Sequence, residues 1–187
     1  MFTAAAAFSL ALPAKANLIT NPGFETGDFT GWTDVSGSVF GTFIGVPPHS
    51  VPPHSGSFQA VFGGPGLLSQ SVATTAGASY TINFFLALAG FTAEHTFSVS
   101  WGGVPLLTLG PFHTPFGYTE YTFNATASTA STALLFQFNG IPLTQFWLLD
   151  DVSVNPAGVG VPDGGSTVSL LGFALLGLAA LRRKLRC

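Results

Sequence analysis

Between Val39 and Val154 the chain never holds an amphipathic run long enough for a helix. It breaks instead into short apolar or alternating stretches bounded by Gly, Pro, Ser and Thr, recurring about every 8 to 12 residues. The strands expected are Val39–Ile44, Ser57–Phe62, Leu67–Val72, Ser79–Leu88, Thr96–Trp101, Leu106–Leu109, Tyr118–Ala125, Ala133–Phe138 and Phe146–Val154. Tyr118-Thr119-Glu120-Tyr121-Thr122-Phe123 alternates as a half-buried strand should, whereas Thr81–Leu86 is more continuously apolar and reads as a central strand. Many short strands separated by turns predict an all-β sandwich.

Charge narrows the functions open to such a domain. Only 7% of residues are charged, against about 25% in ordinary soluble domains. All five basic residues sit near the ends, at Lys15, Arg182, Arg183, Lys184 and Arg186. Between Asn17 and Val161 there is no Lys or Arg, only Glu25, Asp28, Asp34, Glu94, Glu120, Asp150 and Asp151, for a formal charge of -7. A body without cations cannot neutralise phosphates, which excludes nucleic acid and gives no support to anionic lipid as a partner. Neutral ligands and divalent cations stay open. The single cysteine, Cys187, allows no intrachain disulfide and no thiolate zinc site.

The two ends carry targeting signals. Residues 1–16 contain an apolar run from Phe2 to Leu12 followed by Ala14-Lys15-Ala16. That fits a signal peptide cut by signal peptidase after Ala16. At the other end, residues 166–181 form an uncharged run spanning about 24 Å as a helix, short of a roughly 30 Å hydrocarbon core. Snorkelling by the basic end, residues 182–187, would close the gap and keep that end cytoplasmic. The expected plan is a signal peptide (1–16), a β-domain (17–160) and a tail (161–187) with a single transmembrane helix.

Val161-Pro162-Asp163-Gly164-Gly165, the apolar run and the Arg-rich end together resemble the PEP-CTERM class of bacterial sorting signals, most closely its VPDSG variant. Gly164 stands where that variant has Ser. The resemblance implies an exosortase partner, membrane anchoring by the tail before processing, and a final place at the cell surface or in the extracellular matrix.

A second resemblance concerns the body. The opening segment Asn17–Gly27, with Gly31-Trp32, and the closing Leu148-Leu149-Asp150-Asp151-Val152-Ser153-Val154 are similar to the first and last strands of galactose-binding-like jelly rolls, which include many carbohydrate-binding modules. In such modules those strands are neighbours, and acids on them often hold a structural calcium. Hard carboxylate oxygens in a cation-free body suit Ca2+ on their own chemistry. Neighbouring Asp side chains on a strand face opposite ways, so Glu25 and Asp151 are the expected ligands, with carbonyls near Asn21. Trp32 is expected to plug the sandwich edge.

Sugar-binding domains stack rings on pyranose faces, and Trp101, Phe116, Tyr118 and Trp147 are the candidates for that role. Segment 46–55 repeats Val-Pro-Pro-His-Ser, a stiff extended loop that sets His49 and His54 five residues apart. A duplicated tolerant loop is the plainer account of that spacing than a two-histidine site. No nucleophile elbow, HExxH or phosphate loop is present, and no motif supports a carboxylate pair of a glycosidase. The sequence therefore reads as a non-catalytic surface or matrix protein that binds a neutral exopolysaccharide, the alternative being a purely structural envelope protein.

Overall fold

A computed structural model of the chain describes residues 17–36, 42–45, 51–91 and 94–157. The signal peptide, the sorting tail with its helix, His49 and the start of the Val39–Ile44 strand lie outside the described residues. Among the described residues there is no helix, and none long and apolar enough to cross a membrane.

The described residues form ten strands: β1 (Thr33–Ser36), β2 (Thr42–Gly45), β3 (Gln59–Phe62), β4 (Gly66–Ala73), β5 (Ser79–Gly90), β6 (His95–Trp101), β7 (Val104–Leu109), β8 (Phe116–Thr126), β9 (Ser131–Gly140) and β10 (Gln145–Pro156). They build two antiparallel five-stranded sheets, β1-β4-β9-β6-β7 (sheet A) and β2-β3-β10-β5-β8 (sheet B). β4, β6 and β9 bury alternate residues, so sheet A turns one face to the core and one outward.

Rings fill the space between the sheets. Phe84 meets Phe136 edge-on at 5.2 Å, Phe62 meets Phe97 at 5.3 Å, and Phe97 stacks on Trp147 at 4.9 Å. Trp32 packs against Phe24 and Phe136 and donates its indole N–H to Asn21 O at 3.1 Å. It closes the sandwich edge as expected.

Sheet B is apolar on both faces. Val61, Ala87, Ala89, Phe146 and Leu148 form a second buried cluster on the face turned from the core, with Phe43, Val51 and Tyr118 packed on it. The first six residues of β10 are consequently buried on both sides. Residues 51–58, the second half of the Pro-rich repeat with Gly56-Ser57-Phe58 after it, supply part of this cover through Val51 and His54.

Two elements depart from the sequence reading. Segment 17–27 runs beside the end of β10, through Leu18 N–H to Val154 O and Val152 N–H to Pro22 O, both 2.9 Å. It is not a strand, because Asn21, Phe24 and Gly27 adopt φ of 51°, 60° and 75°, which breaks an extended ladder. β1 forms instead from Thr33-Asp34-Val35-Ser36, four exposed residues with no apolar alternation to announce them.

Candidate functional site

Two regions gather polar or apolar groups beyond what the core requires. The first lies where β10 bulges. Asp150 pairs with Phe85 and Ser153 with Asn83, so Asp151 and Val152 together oppose Phe84 alone, and Asp151 takes φ 47°. The bulge cancels the expected alternation. Both aspartates turn toward residues 54–55. Asp150 Oδ2 accepts the backbone N–H groups of His54 (2.9 Å) and Ser55 (3.2 Å). Asp151 Oδ2 lies 2.7 Å from His54 Nδ1, and its Oδ1 accepts the Ser55 hydroxyl at 2.7 Å. Glu25 Oε1 accepts the Ser57 and Phe58 N–H groups, each at 2.9 Å.

The His54 ring is held from both sides. It stacks on Phe85 at 3.6 Å and meets Tyr118 edge-on at 5.4 Å, while the Tyr118 hydroxyl donates to Gln59 Oε1. Gly56 is needed here, since a Cβ at that position would sit 2.3 Å from Glu25 Oε1. The repeat's second histidine is thus a clamp residue.

The three acids have the hardness that calcium prefers, and Glu25 and Asp151 do share one corner of the fold. Their lone pairs, however, are aimed at the chain's own donors. Asn21 O is likewise taken, by Trp32 and by Phe24 N–H. Among the described residues no three His, Cys, Asp or Glu side chains are placed to hold a metal ion.

Asp150 is fully buried, and this burial pushes its carboxyl up to about 6, with the neighbouring Asp151 charge adding to the rise. Because the folded value lies above the unfolded one, Asp150 favours the fold most at low pH, and that contribution is lost as pH rises through about 6. The melting temperature of the body should therefore fall between pH 5 and pH 7. In Asp150→Asn that part of the slope should vanish; an unchanged slope would show that Asp150 does not titrate there.

The second region is the end of the sandwich where β3–β4, β5–β6, β7–β8 and β9–β10 connect. A groove of about 340 Å3 opens there, lined by Val51, Leu88, Ala89, Gly90, Pro115, Phe116 and Gly117. On the loops of the same end stand four exposed apolar side chains, Phe91 (81% exposed), Phe112 (59%), Ile141 (57%) and Leu143 (50%). The loops are tied together, Phe91 N–H bonding Thr144 O and Leu143 N–H bonding Gly63 O, while Gln145 Nε2 reaches His113 O. Phe112 and Leu143 sit at φ 66° and 61°, conformations costing a non-glycine residue about 1 kcal/mol or more, so the chain holds these side chains outward against strain. Glu94 is the only charged residue on the described parts of these loops.

The four rings expected to meet a sugar divide between core and surface. Trp101 and Trp147 are 2% and 0% exposed, with Trp147 stacked on Phe97 and Trp101 against Tyr80, so neither offers a face to a ligand. Strand alternation points both indoles inward. Phe116 is half-buried in the groove wall, edge-on to Trp147, and Tyr118 stands on the same strand beside His54. Phe91 and Phe112 escaped the sequence reading, although each follows Gly90 or Gly110-Pro111, where a loop aromatic has no strand to bury it.

Comparison with known proteins identifies the tail's motif and the architecture of the body. A family model described as the VPDSG-CTERM motif matches residues 160–185. The chain carries a VPDSG-CTERM motif. No curated protein matches the sequence. Among solved structures, TmCBM61 in complex with β-1,4-galactotriose is 17% identical, with 76% of this chain and 99% of that one covered and a TM-score of 0.57. The K1 cleaved adhesin domain of Lys-gingipain from Porphyromonas gingivalis W83 is 14% identical, with 73% and 96% covered and a TM-score of 0.55. The CBM22-1 xylan-binding domain of Xyn10C from Paenibacillus barcinonensis is 16% identical, with 80% and 100% covered and a TM-score of 0.50. At such identities the likeness speaks for the fold: the body of this chain is a jelly-roll β-sandwich like those of carbohydrate-binding modules.

Proposed function

We propose that the chain is an exported cell-surface or matrix protein whose body binds a neutral glycan, without catalysis, at the loop end of the sandwich. One observation carries this reading. Four of the seven large apolar side chains that the described residues expose, Phe91, Phe112, Ile141 and Leu143, stand together there, on nearly uncharged loops, beside a groove walled by Phe116. Exposed rings on fixed loops match the C–H faces of pyranoses, and clustered apolar groups of this kind mark binding surfaces. The cation-free body disfavours acidic sugars and leaves neutral ones.

The sorting motif supports the rest of the proposal, in which signal peptidase and an exosortase process the two ends and the tail holds the chain in the membrane between those steps. Neighbours that bind galactotriose and xylan make neutral plant-type or bacterial polysaccharides suitable probes. In this reading the Glu25–Asp150–Asp151 corner clamps residues 54–58 onto sheet B. A rise in melting temperature on adding calcium would reassign it to the metal.

The test is affinity electrophoresis of residues 17–157 through gels holding β-1,4-galactan, xylan or polygalacturonate. Retardation by a neutral polymer and not by the acidic one is expected. Free migration in every gel would favour the structural alternative.

A further inference from the structure

Each sheet leaves two edges, and three of the four are guarded. β1 is four residues long with Asp34 on it, β2 is four residues long, and β7 carries Pro105 and pairs irregularly with β6. Short strands, charges, prolines and irregular pairing are the usual ways a chain keeps an edge from recruiting another strand. β8 is less guarded: from Thr119 to Thr126 its pairing with β5 is regular, and the register shifts only nearer Phe116, between Leu86 and Leu88. It runs eleven residues from Phe116 to Thr126, about 36 Å of strand, with no Pro and no Lys, and with Glu120 as its one charge. Among the described residues it pairs with β5 alone.

The direction of its free groups is set by the strand's end. Ala127 N–H bonds Ala78 O and Ala127 O accepts Gly77 N–H, so Ala127 faces the β5 side. By the two-residue alternation of an antiparallel ladder, Glu120, Thr122, Asn124 and Thr126 direct their N–H and C=O groups outward. On the core-facing side of the same edge, Tyr121 and Phe123 are only half-buried against Phe84.

We infer that β8 pairs with β8 of a second copy of this chain, antiparallel about a two-fold axis at Tyr121, joining two sheets B into one ten-stranded sheet. An antiparallel edge is self-complementary under a two-fold axis, which makes a second copy the natural occupant. This register overlaps the two strands along their length, and in the regular stretch 119–123 it keeps each residue on its own face of the sheet. It sets Glu120 opposite Thr122 of the second copy, so no carboxylate faces a carboxylate although each body carries -7. The two Tyr121 rings then meet across the axis, continuing the stack on Phe84 and covering the open edge of the core. The inference does not depend on the glycan reading.

Residues 17–157 hold every strand of both sheets and both apolar clusters, and so form a self-contained body for the test. Sedimentation of this fragment over a concentration series should show a dimer. Thr122 is exposed, so its substitution leaves the fold intact, as melting temperature would confirm. Thr122→Glu sets a glutamate opposite each Glu120 across the axis, two such pairs in the dimer, and should raise the dimer dissociation constant about tenfold. Thr122→Lys sets lysine there and should leave the dimer as tight or tighter. In the dimer the amides of Glu120, Thr122 and Asn124 should be protected from hydrogen exchange. A wild-type monomer at every concentration would overturn the inference, as would Thr122→Glu and Thr122→Lys acting alike.

Discussion

Trp147→Ala should cost the body about 3 to 5 kcal/mol, the usual range for removing a large aromatic from a well-packed core. Trp147 is fully buried in the middle of sheet B, stacked on Phe97 at 4.9 Å and met by Phe116 at 5.8 Å and His95 at 5.3 Å. Among the described residues the indole N–H is buried with no hydrogen-bond partner, so the side chain contributes volume and stacking. Trp147→Phe should therefore recover most of the loss, because it gives up little but volume. Urea unfolding of residues 17–157 measures both. A drop in melting temperature of roughly 10 °C or more is expected for the alanine variant. A stable Trp147→Ala domain with lost glycan retention would return Trp147 to the binding role that its sequence suggested.

The second large effect lies on binding and leaves the fold alone. Phe91 and Phe112 stand 81% and 59% exposed, so replacing them removes little buried area. Phe91→Ser and Phe112→Asn are the suitable changes, asparagine being at ease at the φ of 66° that Phe112 adopts. Each ring is expected to supply about 1 kcal/mol or more of stacking, so the double variant should bind neutral glycan tens-fold more weakly. Its melting temperature should hold or rise slightly as the strain at position 112 relaxes. Retention unchanged in the double variant would move the ligand away from this end.

How legible each element was in the sequence depends on what holds it in place. Strands that bury alternate side chains between the sheets, such as β4, β6 and β9, announce themselves by period and end within a few residues of expectation. β1 is exposed along its length and held by backbone pairing to β4, so no side-chain pattern marks it. The bulge at Asp151 was equally silent, and it decides the acidic corner: it turns two adjacent aspartates the same way and brings His54 between Phe85 and Tyr118. The inward direction of Trp101 and Trp147 depends on strand parity relative to the core, which an aromatic's identity does not reveal. The apolar loop rim had a readable signal, since Gly90, Gly110-Pro111 and Gly140-Ile141-Pro142 break the strands just where the exposed side chains stand.

The most direct test of glycan binding at the loop end is a titration of nitrogen-15-labelled residues 17–157 with β-1,4-galactotriose and with xylo-oligosaccharides, read by amide shifts. Binding there should move Phe91, Phe112, Gly117 and Leu143, and leave the Gly102-Gly103 turn beside Trp101, at the opposite end of the sandwich, where it was. Shifts confined to that turn, or none with any neutral sugar, would contradict it.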